Sequence, residues 1–165
     1  MLPLRLLTPA DAAAFRDIRL AGLAADPRAF SAALADEAGH DLDWFADRLA
    51  DSKVFAADDG GRLLGVAGLA IPRQVNKRHK GLLWGVFVRP EARGQGLGTR
   101  LVAAVIDAAR GQVEELVLGV GTYNDAAIAT YRRAGFIATG FEARALRIGD
   151  IYVDEITMTL PFGRG

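Results

Sequence analysis

Glycines at alternate positions are the residues of this sequence whose spacing most directly implies chemistry. Gly94, Gly96 and Gly98 follow an apolar run and come just before an amphipathic helical pattern. Glycine lets a backbone turn so that several N–H groups point into one concavity. A helix that starts there adds its unpaired N–H groups and the positive end of its dipole. The segment therefore predicts a site for a phosphate or pyrophosphate, against the alternative of a glycine-rich turn that binds no ligand.

Two common phosphate-binding loops do not fit these residues. A dinucleotide-binding loop needs G-x-G-x-x-G, but Thr99 stands where the third glycine belongs. A triphosphate loop needs Lys and then Ser or Thr after its last glycine, and Lys53, Lys77 and Lys80 do not fit that frame. A nucleotide-binding protein of another class is therefore only a weak interpretation of this loop.

The elements that must hold this loop are predicted from hydrophobic periodicity and from the positions of glycine and proline. Strands are predicted over 4–7, 54–57, 63–71, 82–88, 116–120, 136–139 and 151–160. Helices are predicted from Thr8 to 26, from Asp41 onward, over 97–110 and from Asn124 to 135. Gly85, inside a β-rich run, marks a bulge or a close backbone approach. Helices and strands alternate and two strands close the chain, so we predict an α/β fold with a sheet of mixed direction.

Composition bounds the class of protein. The length of 165 residues, with no visible repeat or linker, predicts one domain over 1–165. Twenty basic and twenty acidic residues give a formal net charge of zero, which counts against a nucleic-acid partner. The absence of cysteine excludes disulfides and thiolate chemistry, and two distant histidines do not suggest a metal site. No membrane partner is expected, because no apolar run approaches about 20 residues. Arg5 interrupts the first apolar stretch, so we expect no signal peptide and a cytoplasmic protein.

Residues 88–98 contain the run V-x-P-E-x-R-G-x-G-x-G, and residues 124–136, about 30 residues further on, contain N-x-x-A-x-x-x-Y-x-x-x-G-F. In their sequence and their order, these two blocks resemble the GNAT superfamily of acetyl-CoA-dependent N-acetyltransferases. The resemblance implies a mixed, mostly antiparallel sheet of about six to seven strands with about four helices. It also implies a splay between the fourth and fifth strands, and transfer of an acetyl group from acetyl-CoA to a primary amine.

The resemblance also implies which residues hold acetyl-CoA, with no metal. Backbone N–H groups of the loop from Arg93 to Gly98, here named the glycine loop, would bind the pyrophosphate. The pantetheine arm would lie along the fourth strand, where an N–H at or near Val88 would polarise the thioester. Asn124 would fasten the pantetheine or position its helix. The implied cofactor-binding residues are Val86, Phe87, Val88, Arg93, Gly94, Gln95, Gly96, Leu97, Gly98, Thr99 and Asn124.

The same resemblance makes Tyr131 the general acid that protonates the departing thiolate, against the alternative of a core aromatic residue. The general base is less defined, because the fourth strand carries no acid. Glu37 is our first candidate, since it lies between the first two helices, where the family builds its acceptor pocket. His40, His79, Glu91 and an ordered water chain are the alternatives.

A non-catalytic acyl-CoA-binding sensor or interaction module on the same fold is the second interpretation of the sequence, although a module of that kind would not need Tyr131. The acceptor is predicted to be an amine-bearing small molecule or peptide, and neither its identity nor the length of the acyl group follows from the sequence. An exposed closing strand would offer an edge for pairing into a homodimer.

Overall fold

A computed structural model describes residues 1–163, and within them the chain forms seven strands and five helices. The strands are β1 (Leu4–Leu6), β2 (Lys53–Asp59), β3 (Arg62–Ala70), β4 (Lys80–Val88), β5 (Glu115–Gly121), β6 (Ile137–Ile148) and β7 (Ile151–Pro161). The helices are α1 (Ala12–Ala25), α2 (Leu34–Glu37), α3 (Leu42–Asp51), α4 (Leu97–Ala109) and α5 (Asp125–Arg133). None of the helices in this described part is long and apolar enough to cross a membrane.

The strands form one sheet in the order β1-β2-β3-β4-β5-β7-β6. Neighbouring strands are antiparallel except β4 and β5, which run parallel because α4 forms the crossover between them. The prediction of a mixed, mostly antiparallel sheet is therefore confirmed.

Apolar residues on both faces of the sheet hold helices in place. Ala56 and Ala57 follow each other in β2 but belong to different buried clusters, because successive side chains of a strand point to opposite faces. On one face α4 packs through Leu101 and Val105, which stand four residues apart. Several large side chains of each cluster are fully buried, and each stabilises the fold by roughly 1.5–3 kcal/mol.

The centre of the sheet opens between β4 and β5. The two strands pair only at residues 80–82 of β4, and beyond Leu82 the edge of β4 that faces β5 has no strand partner among the described residues. Gly85 lies in a bulge, since Phe87 pairs with Val66 and Trp84 pairs with Gly68, and its φ is +66°. The predicted splay is confirmed, and the predicted irregularity at Gly85 is a bulge in β4.

The predicted end of one strand was wrong, and one short helix was not predicted. The strand predicted over 136–139 extends as β6 to Ile148, and its side chains are mostly exposed on both faces. Its pairing with β7 is irregular around Arg144, whose φ is +54°, so the hydrophobic alternation that marks a strand is lost there. The four-residue α2 was also missed, because one helical turn shows no measurable periodicity.

Candidate active site

The glycine loop joins β4 to α4 at the mouth of the opening. Gly94 and Gly96 have φ values of +78° and +76°, which L side chains rarely adopt, so the loop conformation requires glycine at both positions. No side chain caps the first turn of α4, which leaves its N–H groups available to a ligand. Arg93 fixes the loop to the end of β4, because its Nε donates to the Val88 carbonyl over 3.0 Å.

A cavity of about 530 Å³, here named the β4–β5 cleft, lies where the two strands separate. All but one of the predicted cofactor-binding residues line it: Val86, Phe87, Val88, Arg93, Gly94, Gly96, Leu97, Gly98, Thr99 and Asn124. The exception is Gln95, which is exposed between two glycines and lies outside the lining. The cleft therefore gathers residues from three separate segments of the sequence.

Tyr131 lies in the wall of this cleft, on α5. The Asn124 side chain caps that helix by accepting a hydrogen bond from the Ala127 N–H over 3.2 Å. The Tyr131 ring packs edge-on against Phe136, with 5.9 Å between the ring centroids. Burial raises the pKa of Tyr131 to about 12, so its hydroxyl stays protonated at neutral pH and can donate a proton or a hydrogen bond into the cleft.

A second cavity of about 360 Å³, here named the Trp84 cavity, lies next to the cleft. The two cavities share Ala29, Phe30 and Gly119 as lining residues. Phe30 packs against Phe87, with 6.4 Å between the ring centroids. The shared wall means that the two cavities are adjacent.

Glu37 lines the Trp84 cavity, where it is buried against Arg19. Arg19 Nε and Nη2 donate to the two carboxylate oxygens of Glu37, each over 2.9 Å. Both oxygens are thus already engaged, and accepting a proton from an amine would require this ion pair to loosen. The assignment of Glu37 as a general base stays a prediction.

The other base candidates lie outside both cavities. The exposed His40 ring stacks on Trp44, with 4.2 Å between the centroids, and His79 is exposed just before β4. Exposed Glu91 pairs with Arg62 over 2.7 Å, and a backbone hydrogen bond together with that pairing lowers the pKa of Glu91. A low pKa makes Glu91 a weak proton acceptor.

Sequence reasoning missed Arg48, Trp84 and Glu155, which all line the Trp84 cavity. They stand on α3, β4 and β7, so no local motif contains them. Burial and the neighbouring Glu142 carboxylate raise the pKa of Glu155, which makes it a stronger proton acceptor than an exposed glutamate. The Trp84 Nε1–H is buried and has no hydrogen-bond partner among residues 1–163.

Residues 1–163 contain no group of three or more His, Cys, Asp or Glu side chains that could hold a metal ion.

The sequence matches the acetyltransferase (GNAT) family over residues 20–136, a span that includes the glycine loop and Tyr131. The N-alpha-acetyltransferase RimI of Mycobacterium tuberculosis is 37% identical over 106 residues, which are 62% of this chain and 61% of that relative. The match thus spans about three fifths of the length of that curated relative.

Solved structures share the fold over nearly the whole chain. The ribosomal-protein-alanine N-acetyltransferase of Brucella melitensis is 27% identical, with a TM-score of 0.82 over 98% of this chain and 100% of that one. A phosphinothricin acetyltransferase of Sinorhizobium meliloti, solved in complex with acetyl-CoA, is 21% identical, with a TM-score of 0.79 over 99% of this chain and 90% of that one. Because the identity to the Sinorhizobium meliloti structure is only 21%, that similarity shows a shared fold and nothing about the substrate.

Proposed function

This chain belongs to the GNAT family of acetyltransferases, and we propose that it transfers an acetyl group from acetyl-CoA to the amine of a small molecule or peptide. The observation that carries the proposal is the β4–β5 cleft, where the glycine loop, the unpaired edge of β4 and Tyr131 meet. Acetyl-CoA supplies the acetyl thioester. In the reaction the amine nitrogen bonds to the carbonyl carbon, the carbon–sulfur bond breaks and the sulfur gains a proton.

The residues of the cleft fit this co-substrate. Gly98 has an ordinary backbone conformation, and a β-carbon there would touch only the Val88 side chain, at 3.8 Å. Neither strain nor packing therefore requires glycine at this position, whereas a diphosphate that approaches the backbone closely would require it. The uncapped first turn of α4 supplies N–H groups and the positive end of a helix dipole to the same place.

The edge of β4 suits the extended pantetheine arm. From Leu83 to Val88 this edge has no partner on β5, so its backbone groups can pair with an extended chain in the manner of an added strand. We assign the N–H at or near Val88 to the thioester oxygen, which gains negative charge as the amine attacks. Removing one such donor in other enzymes costs on the order of 10²–10³ in rate.

Tyr131 is the proposed proton donor to the departing sulfur. Its raised pKa keeps the hydroxyl protonated across the range in which amines can react. Proton transfer by a positioned side chain typically contributes about 10²–10⁴ in rate.

Two carboxylates of the Trp84 cavity are candidates for the base that receives the amine proton. Glu37 is held by Arg19 at both oxygens, whereas Glu155 makes no hydrogen bond or ion pair among residues 1–163 and borders Gly119. This difference favours Glu155, and replacement of each by Gln separates them. If Glu155 is the base, Glu155→Gln should lower kcat by about 10²-fold or more without changing the melting temperature. Glu37→Gln should instead lower the melting temperature, because it leaves the Arg19 charge buried and unpaired.

The proposal is tested first by binding and turnover. Coenzyme A should stabilise the protein by about 2.7 kcal/mol at 100 times its dissociation constant, and acetyl-CoA should release free thiol when a suitable amine is added. Stabilisation by NAD or ATP but not by coenzyme A would overturn the assignment. Binding of coenzyme A without thiol release for any amine would support the non-catalytic module instead.

Gly98→Ala tests the position of the diphosphate. We expect the variant to melt like the parent, because the added methyl group meets only an ordinary contact, and to bind coenzyme A at least tenfold more weakly. Gly39→Ala is the control, since a β-carbon at this exposed glycine would also meet no close neighbour. Unchanged affinity in Gly98→Ala would place the diphosphate elsewhere.

We also propose that the protein forms a homodimer through the edge of β6. The prediction that the closing strand offers this edge was wrong, because that strand, β7, pairs with β5 on one side and with β6 on the other, which leaves β6 at the edge of the sheet. The β6 strand is exposed on its outer side, and Ile137 and Phe141 are 56% and 63% exposed. Sedimentation analysis of the parent and of Phe141→Glu would show a dimer that the substitution dissociates, and a monomeric parent would contradict the proposal.

A further inference from the structure

We infer that the acceptor amine also carries a carboxylate, and that the Arg48 guanidinium anchors this carboxylate in the Trp84 cavity. The inference rests on the proposed acetyl transfer and adds the chemical class of the acceptor. It follows from the geometry around Arg48 and from the charges that the cavity leaves unpaired.

Arg48 differs from the other arginine of the cavity. Arg19 gives two hydrogen bonds to Glu37 and forms a closed ion pair with it. Arg48 lines the same cavity but makes no side-chain hydrogen bond or ion pair within residues 1–163. It is only partly exposed, and its loss of contact with water lowers its pKa. A partly buried cation without a partner is costly, and an anionic ligand would offset that cost.

Two tryptophan rings fix the orientation of Arg48. Its guanidinium carbon lies 4.9 Å from the centroid of Trp44 and 4.9 Å from that of Trp84. The guanidinium N–H donors of Arg48 make no hydrogen bond within residues 1–163, and its two ring contacts are cation–π contacts. The donors therefore remain free to form a bidentate pair with a carboxylate, and the planar fork of arginine matches that group.

The charges of the cavity match an amine joined to a carboxylate. Arg19 and Glu37 neutralise each other, which leaves one cation, Arg48, and one carboxylate, Glu155. Gly119 borders both cavities, and a β-carbon there would lie 3.9 Å from Glu155 Oε1, so Glu155 stands at the side of the β4–β5 cleft. Arg48 approaches the cavity from α3, over the Trp84 ring. An acceptor bound with its amine toward Glu155 and its carboxylate toward Arg48 would present the amine to the thioester.

The size of the cavity is consistent with this class. A volume of about 360 Å³ is at the lower end of the range for small-molecule sites. Its lining combines an aromatic wall from Phe30 and Trp84 with few charged groups, which is typical of sites that orient a small ligand.

The test compares acceptors that differ only in the carboxylate. Each common L-amino acid, together with β-alanine and 4-aminobutyrate, is offered with acetyl-CoA beside the matching decarboxylated amine, and L-leucine also beside L-leucinamide. For the best acceptor we expect kcat/KM to be about 10- to 100-fold higher with the carboxylate than without it, as for a hydrogen-bonded charged pair.

Variants of Arg48 assign that preference to the guanidinium. Arg48→Gln should raise KM for the best amino acid by about tenfold or more and leave kcat/KM for its decarboxylated partner unchanged. Arg48→Lys keeps the charge without the fork and should restore part of the loss. The matched control is Arg16→Gln, because the Arg16 guanidinium also lies over an aromatic ring, Phe45, but outside the Trp84 cavity.

The outcomes separate this inference from the proposed function. Equal use of amines with and without the carboxylate, or an equal effect of Arg48→Gln on both, would overturn the inference and leave acetyl transfer intact. Thiol release from no amine at all would overturn the proposed function itself. A preference for amino acids that Arg48→Gln abolishes would support both.

Discussion

The β4–β5 cleft and the Trp84 cavity share a wall, but different chemical groups line them. The cleft offers backbone N–H groups from the glycine loop, the first turn of α4 and the free edge of β4. The Trp84 cavity offers four charged side chains, Arg19, Glu37, Arg48 and Glu155, which three helices and a strand bring together. Backbone recognition depends only on conformation, whereas side-chain recognition changes with any one substitution. The first cavity thus suits a ligand common to a whole family, and under the proposed function we expect the second to determine which acceptor is used.

Polar side chains also line the cleft, and among them Tyr131 is the proposed proton donor, so its removal should give the largest effect. Tyr131→Phe should lower kcat by about 10²-fold or more, because the sulfur loses its proton donor, with coenzyme A affinity within twofold of the parent. Thiol-release kinetics and calorimetry measure the two quantities. Tyr152→Phe, at an exposed position on β7, is the control. Equal rates for Tyr131→Phe and the parent would mean that the cleft works through its backbone alone.

The buried state of Tyr131 also predicts an alkaline loss of stability. An unfolded tyrosine ionises near pH 10, but folded Tyr131 has a pKa of about 12, so the unfolded state loses its proton first. Stability should therefore fall with rising pH by about 1.4 kcal/mol per pH unit between 10 and 12 from this group. Urea unfolding at pH 8 and pH 11 measures the fall, which should be smaller by that amount in Tyr131→Phe. An identical fall in both proteins would show that the hydroxyl is hydrated.

Gly68→Ala should damage the Trp84 cavity and spare the cleft. A β-carbon at Gly68 would lie 2.5 Å from Cε2 of Trp84, so the indole must shift, at a cost of about 1–3 kcal/mol in stability. We expect a higher KM for the acceptor and an unchanged affinity for coenzyme A. Gly39→Ala again serves as the control. If Gly68→Ala also weakened coenzyme A binding, the two cavities would not bind their ligands independently.

The smallest effects should come from a pair of helix caps. The Asp41 carboxylate accepts from the Trp44 N–H over 3.0 Å and caps α3, which carries Arg48, while Asn124 caps α5, which carries Tyr131. Each change to Ala should cost about 1 kcal/mol of stability. Asp41→Ala should raise the acceptor KM, whereas Asn124→Ala should lower kcat. The same kinetic change in both variants would contradict the assignment of α3 to acceptor binding and of α5 to proton donation.

The position of the glycine loop could be predicted from the sequence because its determinants are local. Positive φ angles at Gly94 and Gly96 demand glycine at fixed spacing, and the cap and tyrosine of α5 lie seven residues apart in one block. Gln95 was included with its neighbours, but its side chain is not part of the lining. Tyr131 and Asn124 were identified through the family resemblance rather than through periodicity.

The Trp84 cavity could be predicted only in part. Glu37 lies where the sequence placed the acceptor pocket, but its pairing with Arg19 depends on the packing of α1 against α2. Arg48 and Glu155 are separated by more than 100 residues in the sequence, and they line the same cavity because β7 inserts beside β5 in the sheet. No spacing rule in a single sequence encodes such an arrangement.

The shared wall of Ala29, Phe30 and Gly119 has a kinetic consequence. Because the cavities are adjacent, we expect the two binding equilibria to be linked, and each molecule then changes the affinity for the other by the same factor. If the thioester end of acetyl-CoA completes the acceptor site, the enzyme should bind its donor first and its acceptor second. Initial-rate patterns would then follow a compulsory order.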